Sequence, residues 1–347
     1  MKPFLPLLAV VAAALWLAGC ATTPGARLTR QVAESVVLVG EEPAHLAFLP
    51  ARGQPVRVRS GYVPGPDTVE YVEARDFILD FNNGTLRRTA DSRLPDFQRN
   101  NLFGQDEFDH SRFPGFGNGG FFAFVDYTPA GRIVWPRQAN QSRLLPLTCA
   151  KLRDGEPLKI VAFGDSITAG GDATSPNLVF WQRWADELGR HYPRAAITAV
   201  NGATGGDSTV QGLQRLQTKV LDANPDLVLL GFGMNDHNKG GVPIPRFEDN
   251  VRQMISRIRG STKAEIVLFS AFPPNPKWKF GSHQMQDYAT AAERVARENG
   301  CAFADVFNNW QALAARKKPE DLLGNNINHP NDFGHWIYYR VLSAMGL

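Results

Sequence analysis

The sequence predicts a three-layer α/β/α sandwich built on a parallel sheet, preceded by a β-rich N-terminal region. Three observations carry this reading. From Leu158 onward, short apolar runs recur without polar alternation, as expected of strands buried on both faces. Between them lie segments whose apolar residues return every three or four positions, the period of an amphipathic helix. Ahead of them, from about residue 30 to 145, helical periodicity is scarce. Strand-like runs there are separated by Gly, Pro, Asn and Asp.

The chain begins with Lys2, an apolar stretch from Phe4 to Trp16, and then Leu17-Ala18-Gly19-Cys20. A positive start, a short apolar core and small residues before a cut site form a secretory signal. The stretch is short for a transmembrane helix. Leu-Ala-Gly-Cys resembles the bacterial lipobox, which implies cleavage before Cys20 and its lipidation; an ordinary signal cut after Ala18 is the alternative. Residues 1–19 are thus expected as signal peptide and 20–30 as a lipid-anchored tether, since Ala21-Thr22-Thr23-Pro24-Gly25-Ala26 has linker composition. The protein is expected to be exported and to meet the membrane only through its anchor. The net charge of +3 over 347 residues is small, and Lys and Arg are scattered, so no nucleic-acid partner is expected. Export makes a bridge between Cys149 and Cys301 chemically possible; the sequence leaves their pairing open.

Residues 31–148 are expected to form the β-rich accessory domain. Val36–Val39, Val56–Arg59 and Phe121–Tyr127 are strand-like. Phe77–Phe81 and Thr85–Arg88 flank Asn82-Asn83-Gly84, a hairpin signal. Residues 149–347 are expected to form the sandwich. Its strand candidates are Leu158–Phe163, Ile197–Val200, Leu227–Phe232, Ile266–Phe272 and Ala302–Val306. Helices are marked by Trp181, Trp184, Leu188 and Tyr192 before Pro193, by Leu213, Leu216 and Val220, and by Phe247, Val251, Met254, Ile255 and Ile258. In such sheets ligands bind beyond the carboxyl ends of the strands.

Three strand ends and the last helix start carry the candidate chemistry. The first strand runs into Gly164-Asp165-Ser166-Ile167-Thr168, which presents a serine hydroxyl on a tight turn. The second runs into Asn201-Gly202-Ala203-Thr204-Gly205-Gly206-Asp207-Ser208, where glycines permit close backbone approach. The third ends at Gly231-Phe232-Gly233-Met234-Asn235-Asp236, whose Asn235 amide can donate to a developing oxyanion. Near the C-terminus, Asn328-His329-Pro330-Asn331-Asp332-Phe333-Gly334-His335 sets Asp332 three positions before His335. A carboxylate so placed can accept the imidazole Nδ1–H and leave Nε2 as base. Taken singly, each has a plainer reading as a cap or turn.

Together and in this order, these blocks resemble the SGNH (GDSL-like) hydrolase family over Leu158 to Leu347. The resemblance implies Ser166 as nucleophile, His335 as base and Asp332 as its orienter. It implies an oxyanion hole of the Ser166 and Gly206 backbones with the Asn235 side chain, Gly202 and Gly205 being weaker matches than Gly206. It further implies ester hydrolysis through an acyl-serine, with no metal and no organic cofactor. An acetylated carbohydrate is the expected substrate; a lipase or lysophospholipase, and a non-catalytic glycan-binding lipoprotein, are the alternatives. Gly115-Phe116-Gly117-Asn118-Gly119-Gly120 fits a dinucleotide fingerprint but precedes a strand-like run rather than a helix, so it is set aside. A metal site at His329, Asp332 and His335 is set aside because the triad explains more residues. His329 is expected to shape its loop and His237 to be an exposed loop histidine.

Overall fold

The computed structural model describes residues 27–113 and 115–347. The expected signal, lipobox and Cys20 lie outside the described residues. In the N-terminal region the strand-like runs pair as antiparallel sheets. One has the order β2 (Gln31–Val37), β8 (Phe122–Tyr127), β4 (Arg57–Arg59), β5 (Glu70–Tyr71). A second joins β3 (Ala44–His45), β7 (Thr85–Arg88) and β6 (Phe77–Asp80). The expected β6–β7 hairpin forms, and Asp80 accepts the Asn82 N–H at 2.8 Å to close its turn. β1 (Arg27–Leu28), within the stretch expected as tether, pairs with β9 (Ile133–Val134).

β8 is buried along its whole length, because successive side chains leave opposite faces of the sheet. Ala123, Val125 and Tyr127 enter a core with Val36, Leu46, Val58 and Leu86. Phe122 and Phe124 pack on the other side with Ala33, Val37 and Phe97.

The apolar runs of the second half form a five-stranded parallel sheet with the order β11 (Ile197–Asn201), β10 (Leu158–Gly164), β12 (Leu227–Gly231), β13 (Glu265–Phe269), β14 (Ala302–Ala304). Several strands stop short of the expected ends, at Gly231, Phe269 and Ala304, where the chain turns into the loops beyond the sheet. The connecting helices are α1 (Pro146–Asp154), α2 (Ser166–Ala169), α3 (Phe180–His191), α4 (Thr209–Lys219), α5 (Ile244–Ser261), α6 (Met285–Glu298), α7 (Val306–Ala314), α8 (Pro319–Leu322) and α9 (Asp332–Ser343). α4, α5 and α6 pack side by side, as do α3, α9 and α7. Right-handed crossovers put the two groups on opposite faces. The connections leaving β10 and β12 run in opposite directions, so the crevice between their carboxyl ends is the position where such sheets bind ligands. Cys149 and Cys301 are buried and not bridged.

The two halves interlock through buried charge. Lys317, fully buried before α8, lies 3.0 Å from Glu34 of β2 and 3.6 Å from Asp321. Glu34 also accepts from the Tyr127 hydroxyl at 2.6 Å and from Ala47 N–H at 2.7 Å. Asp321 accepts the Val37 N–H at 2.7 Å, and Asn331 donates to Ser35 Oγ at 3.0 Å. The β-rich half is thereby bonded directly to the segment that leads into α9.

Candidate active site

β10 ends at Gly164, in register with Gly231 of β12, and Asp165 caps the one-turn α2 by accepting the Ile167 N–H at 2.9 Å. Burial pushes the Asp165 carboxyl up to about 7. Ser166 opens α2 at the edge of the crevice. Its Oγ lies 2.8 Å from Nε2 of His329, and His329 Nδ1 lies 2.9 Å from Oδ2 of Asp172. The chain returns from α2 through Gly171, where a Cβ would stand 2.9 Å from His329 Nδ1. Only glycine leaves that space for the ring. Asp172 follows in the left-handed region at φ +58°. With Nδ1–H donated to a carboxylate, Nε2 is the ring atom able to take the serine proton.

The expected partners of Ser166 are elsewhere. His335 lies on the buried face of α9, fully enclosed and stacked on Phe180 at an interplanar angle of 13°. Its Nε2 is 3.1 Å from the Gly171 carbonyl. Burial lowers its pKa to about 4, so it is neutral near pH 7. Asp332 does not orient it: its two oxygens accept the Thr174 N–H at 2.9 Å and the Thr174 hydroxyl at 2.7 Å. The assignment of His335 and Asp332 to the triad is therefore corrected. Both side chains instead grip residues 171–174, the segment that carries Asp172. The physical reason is helical geometry. Asp332 and His335 occupy the first turn of α9, whose buried face faces α3 and the 171–174 turn rather than the serine. His329, expected only to shape its loop, lies in irregular chain and reaches the crevice.

The oxyanion-hole candidates do converge. Thr204 N–H donates to Gly164 O at 3.1 Å, which brings the glycine turn against the serine turn; a Cβ on Gly205 would be 3.8 Å from Ser166 Cβ. Gly206 has φ +79° and is open to solvent. One N–H of the Asn235 amide is bonded to Asp207 O at 2.9 Å, which ties this side chain to the Gly206 turn and leaves its second N–H free to donate. Gly202 continues the sheet instead, donating to Ala162 O at 2.8 Å. Below, Asp236 accepts from the Thr209 N–H at 3.0 Å and from its hydroxyl, and burial raises its carboxyl to about 6. His237 is buried rather than exposed, its Nδ1 directed at Met234 O. Among the described residues no group of three His, Cys, Asp or Glu is placed to hold a metal ion.

Residues 162–337 match the model of the GDSL-like lipase/acylhydrolase family. The chain belongs to this family. It is 30% identical over 158 residues to an arylesterase of Vibrio mimicus, covering 44% of this chain and 75% of that one. It is 28% identical over 151 residues to the esterase TesA of Pseudomonas aeruginosa, covering 43% and 70%. Among solved structures, a two-domain esterase active on acetylated mannans aligns with a TM-score of 0.49 and 22% identity, over 59% of this chain and 54% of that one. The protein is an ester hydrolase of GDSL-like type.

Two features of this GDSL-like hydrolase were not read from its sequence. The first is the carboxylate on His329: the residue three before His329 is Asn326, not a carboxylate, and the one that meets its ring, Asp172, comes from 157 positions earlier. Asn326 points away, its Nδ2 donating to Phe116 O at 3.2 Å. The second is the role of Gly117-Asn118-Gly119, the dinucleotide-like lure. Asn118 is fully buried in the hydrolase half, donating to Leu323 O at 2.9 Å and to Asn326 Oδ1 at 2.6 Å, while its own N–H donates to Gly324 O at 2.7 Å. Gly324 in turn donates to His329 O at 2.9 Å. The β-rich half thus braces the loop of His329. The available signal was that Pro330 and Asn331 mark His329 as loop, whereas Gly334, His335, Tyr338 and Val341 recur at the period of a buried helix face.

Proposed function

We propose that the protein is a serine esterase in which Ser166, His329 and Asp172 act as the triad, and that its substrate is an acetylated carbohydrate. The observation that carries the mechanism is the unbroken relay from Ser166 Oγ through His329 to Asp172, at 2.8 and 2.9 Å. In this reading Ser166 Oγ attacks the acyl carbonyl as His329 Nε2 takes its proton. The oxyanion is held by the backbone N–H groups of Ser166 and Gly206 and by the Asn235 amide. Collapse breaks the ester bond, and the alcohol leaves with the proton from His329. Water then attacks the acyl-Ser166 as His329 takes its proton; collapse breaks the bond to Ser166 Oγ, His329 returns the proton to Oγ, and the carboxylic acid departs. Asp172 holds the ring tautomer and balances the imidazolium.

A short acyl group is supported by the shallow depression of about 450 Å³ beside Gly206 and Asn235. Its walls include Ser208, Gln211, Asn238 and Lys239, with Val210 and Val242 as the large apolar side chains. A long acyl chain would need an extended apolar wall to gain the roughly 25 cal/mol per Å² that burial supplies. The lipobox-like Leu17-Ala18-Gly19-Cys20 supports export and anchoring through Cys20; Cys20→Ser should abolish lipid attachment, read by metabolic labelling with a fatty acid. The functional test is a panel of p-nitrophenyl esters from acetate to laurate beside acetate release from acetylated xylan and mannan. Turnover highest on acetyl esters and lost in Ser166→Ala supports the reading. Highest turnover on long-chain esters replaces it with a lipase.

A further inference from the structure

We propose that the cavity between the two halves binds the alcohol part of the ester, and that it selects neutral, hydroxyl-rich groups and rejects anionic ones. This rests on the esterase reading above and adds where the leaving group sits and what its charge must be. The cavity measures about 790 Å³, within the range of ligand sites. One wall comes from the β-rich half, with Tyr62, Phe122 and Phe124; the other comes from residues 172–178. It reaches the candidate triad directly. Asp172 and Gly324 belong to its wall, Asp172 being the carboxylate on His329 and Gly324 the donor to His329 O. Asp172 and His329 side chains are 35% and 25% exposed, so the relay is open to solvent. One imidazole ring and two hydrogen bonds separate Asp172 from the serine oxygen.

The chemistry of the wall argues for the ligand class. The aromatic side chains of Tyr62, Phe122 and Phe124 share the lining with Ser60, Ser175 and Asn177, which offer hydroxyl and amide groups. That combination suits a sugar ring, which is apolar on its C–H faces and polar at its rim. The ionisable side chains on the wall besides Tyr62 are carboxyls, Asp172 and Asp332, with no lysine or arginine among the described lining residues. The Arg183 guanidinium is engaged by Tyr62: it lies over the ring, 5.1 Å from its centroid, and donates to the phenol oxygen at 2.9 Å. An anionic leaving group would therefore approach the Asp172 carboxylate with no cation on the wall to receive it. Discrimination of this kind works by leaving a charge unpaired rather than by adding a contact.

The test compares three substrates on wild type and two rim variants. The substrates are p-nitrophenyl acetate, an acetylated xylo-oligosaccharide, and an acetylated oligogalacturonide, which is the anionic sugar. Wild type should favour the xylo-oligosaccharide over the galacturonide by at least about tenfold in kcat/KM. Added salt should narrow that gap by screening. Val63, 61% exposed at the cavity rim, accepts a cation without disturbing the core. Val63→Lys should narrow the same gap by about tenfold. Asn177→Trp, also on an exposed wall position, should lower kcat/KM on the oligosaccharide relative to p-nitrophenyl acetate by about tenfold. Wild-type turnover with both ratios unmoved within twofold overturns the cavity assignment and leaves the esterase reading standing. No turnover of any ester, with no labelling of Ser166 by a fluorophosphonate, overturns the esterase reading itself.

Discussion

His329 and His335 stand six residues apart in the sequence and live in different physical settings. His329 sits in irregular chain, a quarter exposed, with a hydroxyl on one ring nitrogen and a carboxylate on the other. His335 is on a regular helix, fully enclosed, against Phe180, with a backbone carbonyl on Nε2. A regular helix must bury one face, so a histidine on that face becomes a packing element whose charge is suppressed. A loop can aim a side chain anywhere, provided other elements hold the loop. Here they do: Asn118 from the β-rich half holds Gly324 and Asn326, and His335 and Asp332 hold residues 171–174.

The sharpest way to break the comparison is to exchange the fates of the two histidines. His329→Ala should lower kcat by about 10⁴–10⁶, as loss of a triad base does, and Asp172→Asn by about 10⁴. His335→Ala should cost about tenfold, through a loosened Gly171–Asp172 turn, and His335→Gln, which retains a donor for Gly171 O, should recover most of it. Steady-state kinetics on an acetyl ester read all four. A larger loss at position 335 than at 329 would restore the assignment of the base to His335.

A second expectation concerns the bond between the halves. Lys317→Met leaves Glu34 buried without its cation and should destabilise the fold by about 3–5 kcal/mol. Adding Glu34→Gln should recover part of that loss, because the uncompensated charge is gone. Chemical denaturation of the three proteins measures both. Unfolding in two separate transitions in wild type would contradict the interlock.

The smallest effect is in the pH dependence of stability. His335 is held near 4 by burial, against about 6.5 when unfolded. As pH falls below 6.5 the unfolded chain takes up this proton and the folded one does not, so stability is lost progressively down to about pH 4. The raised carboxyls of Asp165 and Asp236, at about 7 and 6, act in the opposite sense, since they are protonated more readily in the fold. The His335 contribution is isolated by difference. Relative to His335→Gln, wild type should lose on the order of 3 kcal/mol between pH 6.5 and 4. A constant gap between the two across that range would mean that His335 is not enclosed as described.

The parallel sheet, its five strands, the β6–β7 hairpin and the placing of Ser166, Gly206 and Asn235 at strand ends were all legible in the residues alone. Those features follow from local periodicity and turn chemistry, which short windows contain. Which histidine meets Ser166, and which carboxylate meets that histidine, depended on long-range packing. The Asp-x-x-His spacing at 332–335 is a local pattern, yet a helix spent it on packing. The Asp172–His329 pair spans 157 positions and exists because Gly171 makes room for the ring and Gly324 is braced from the other half of the chain. No local pattern encodes such a pair, since its geometry belongs to the loops that other elements hold.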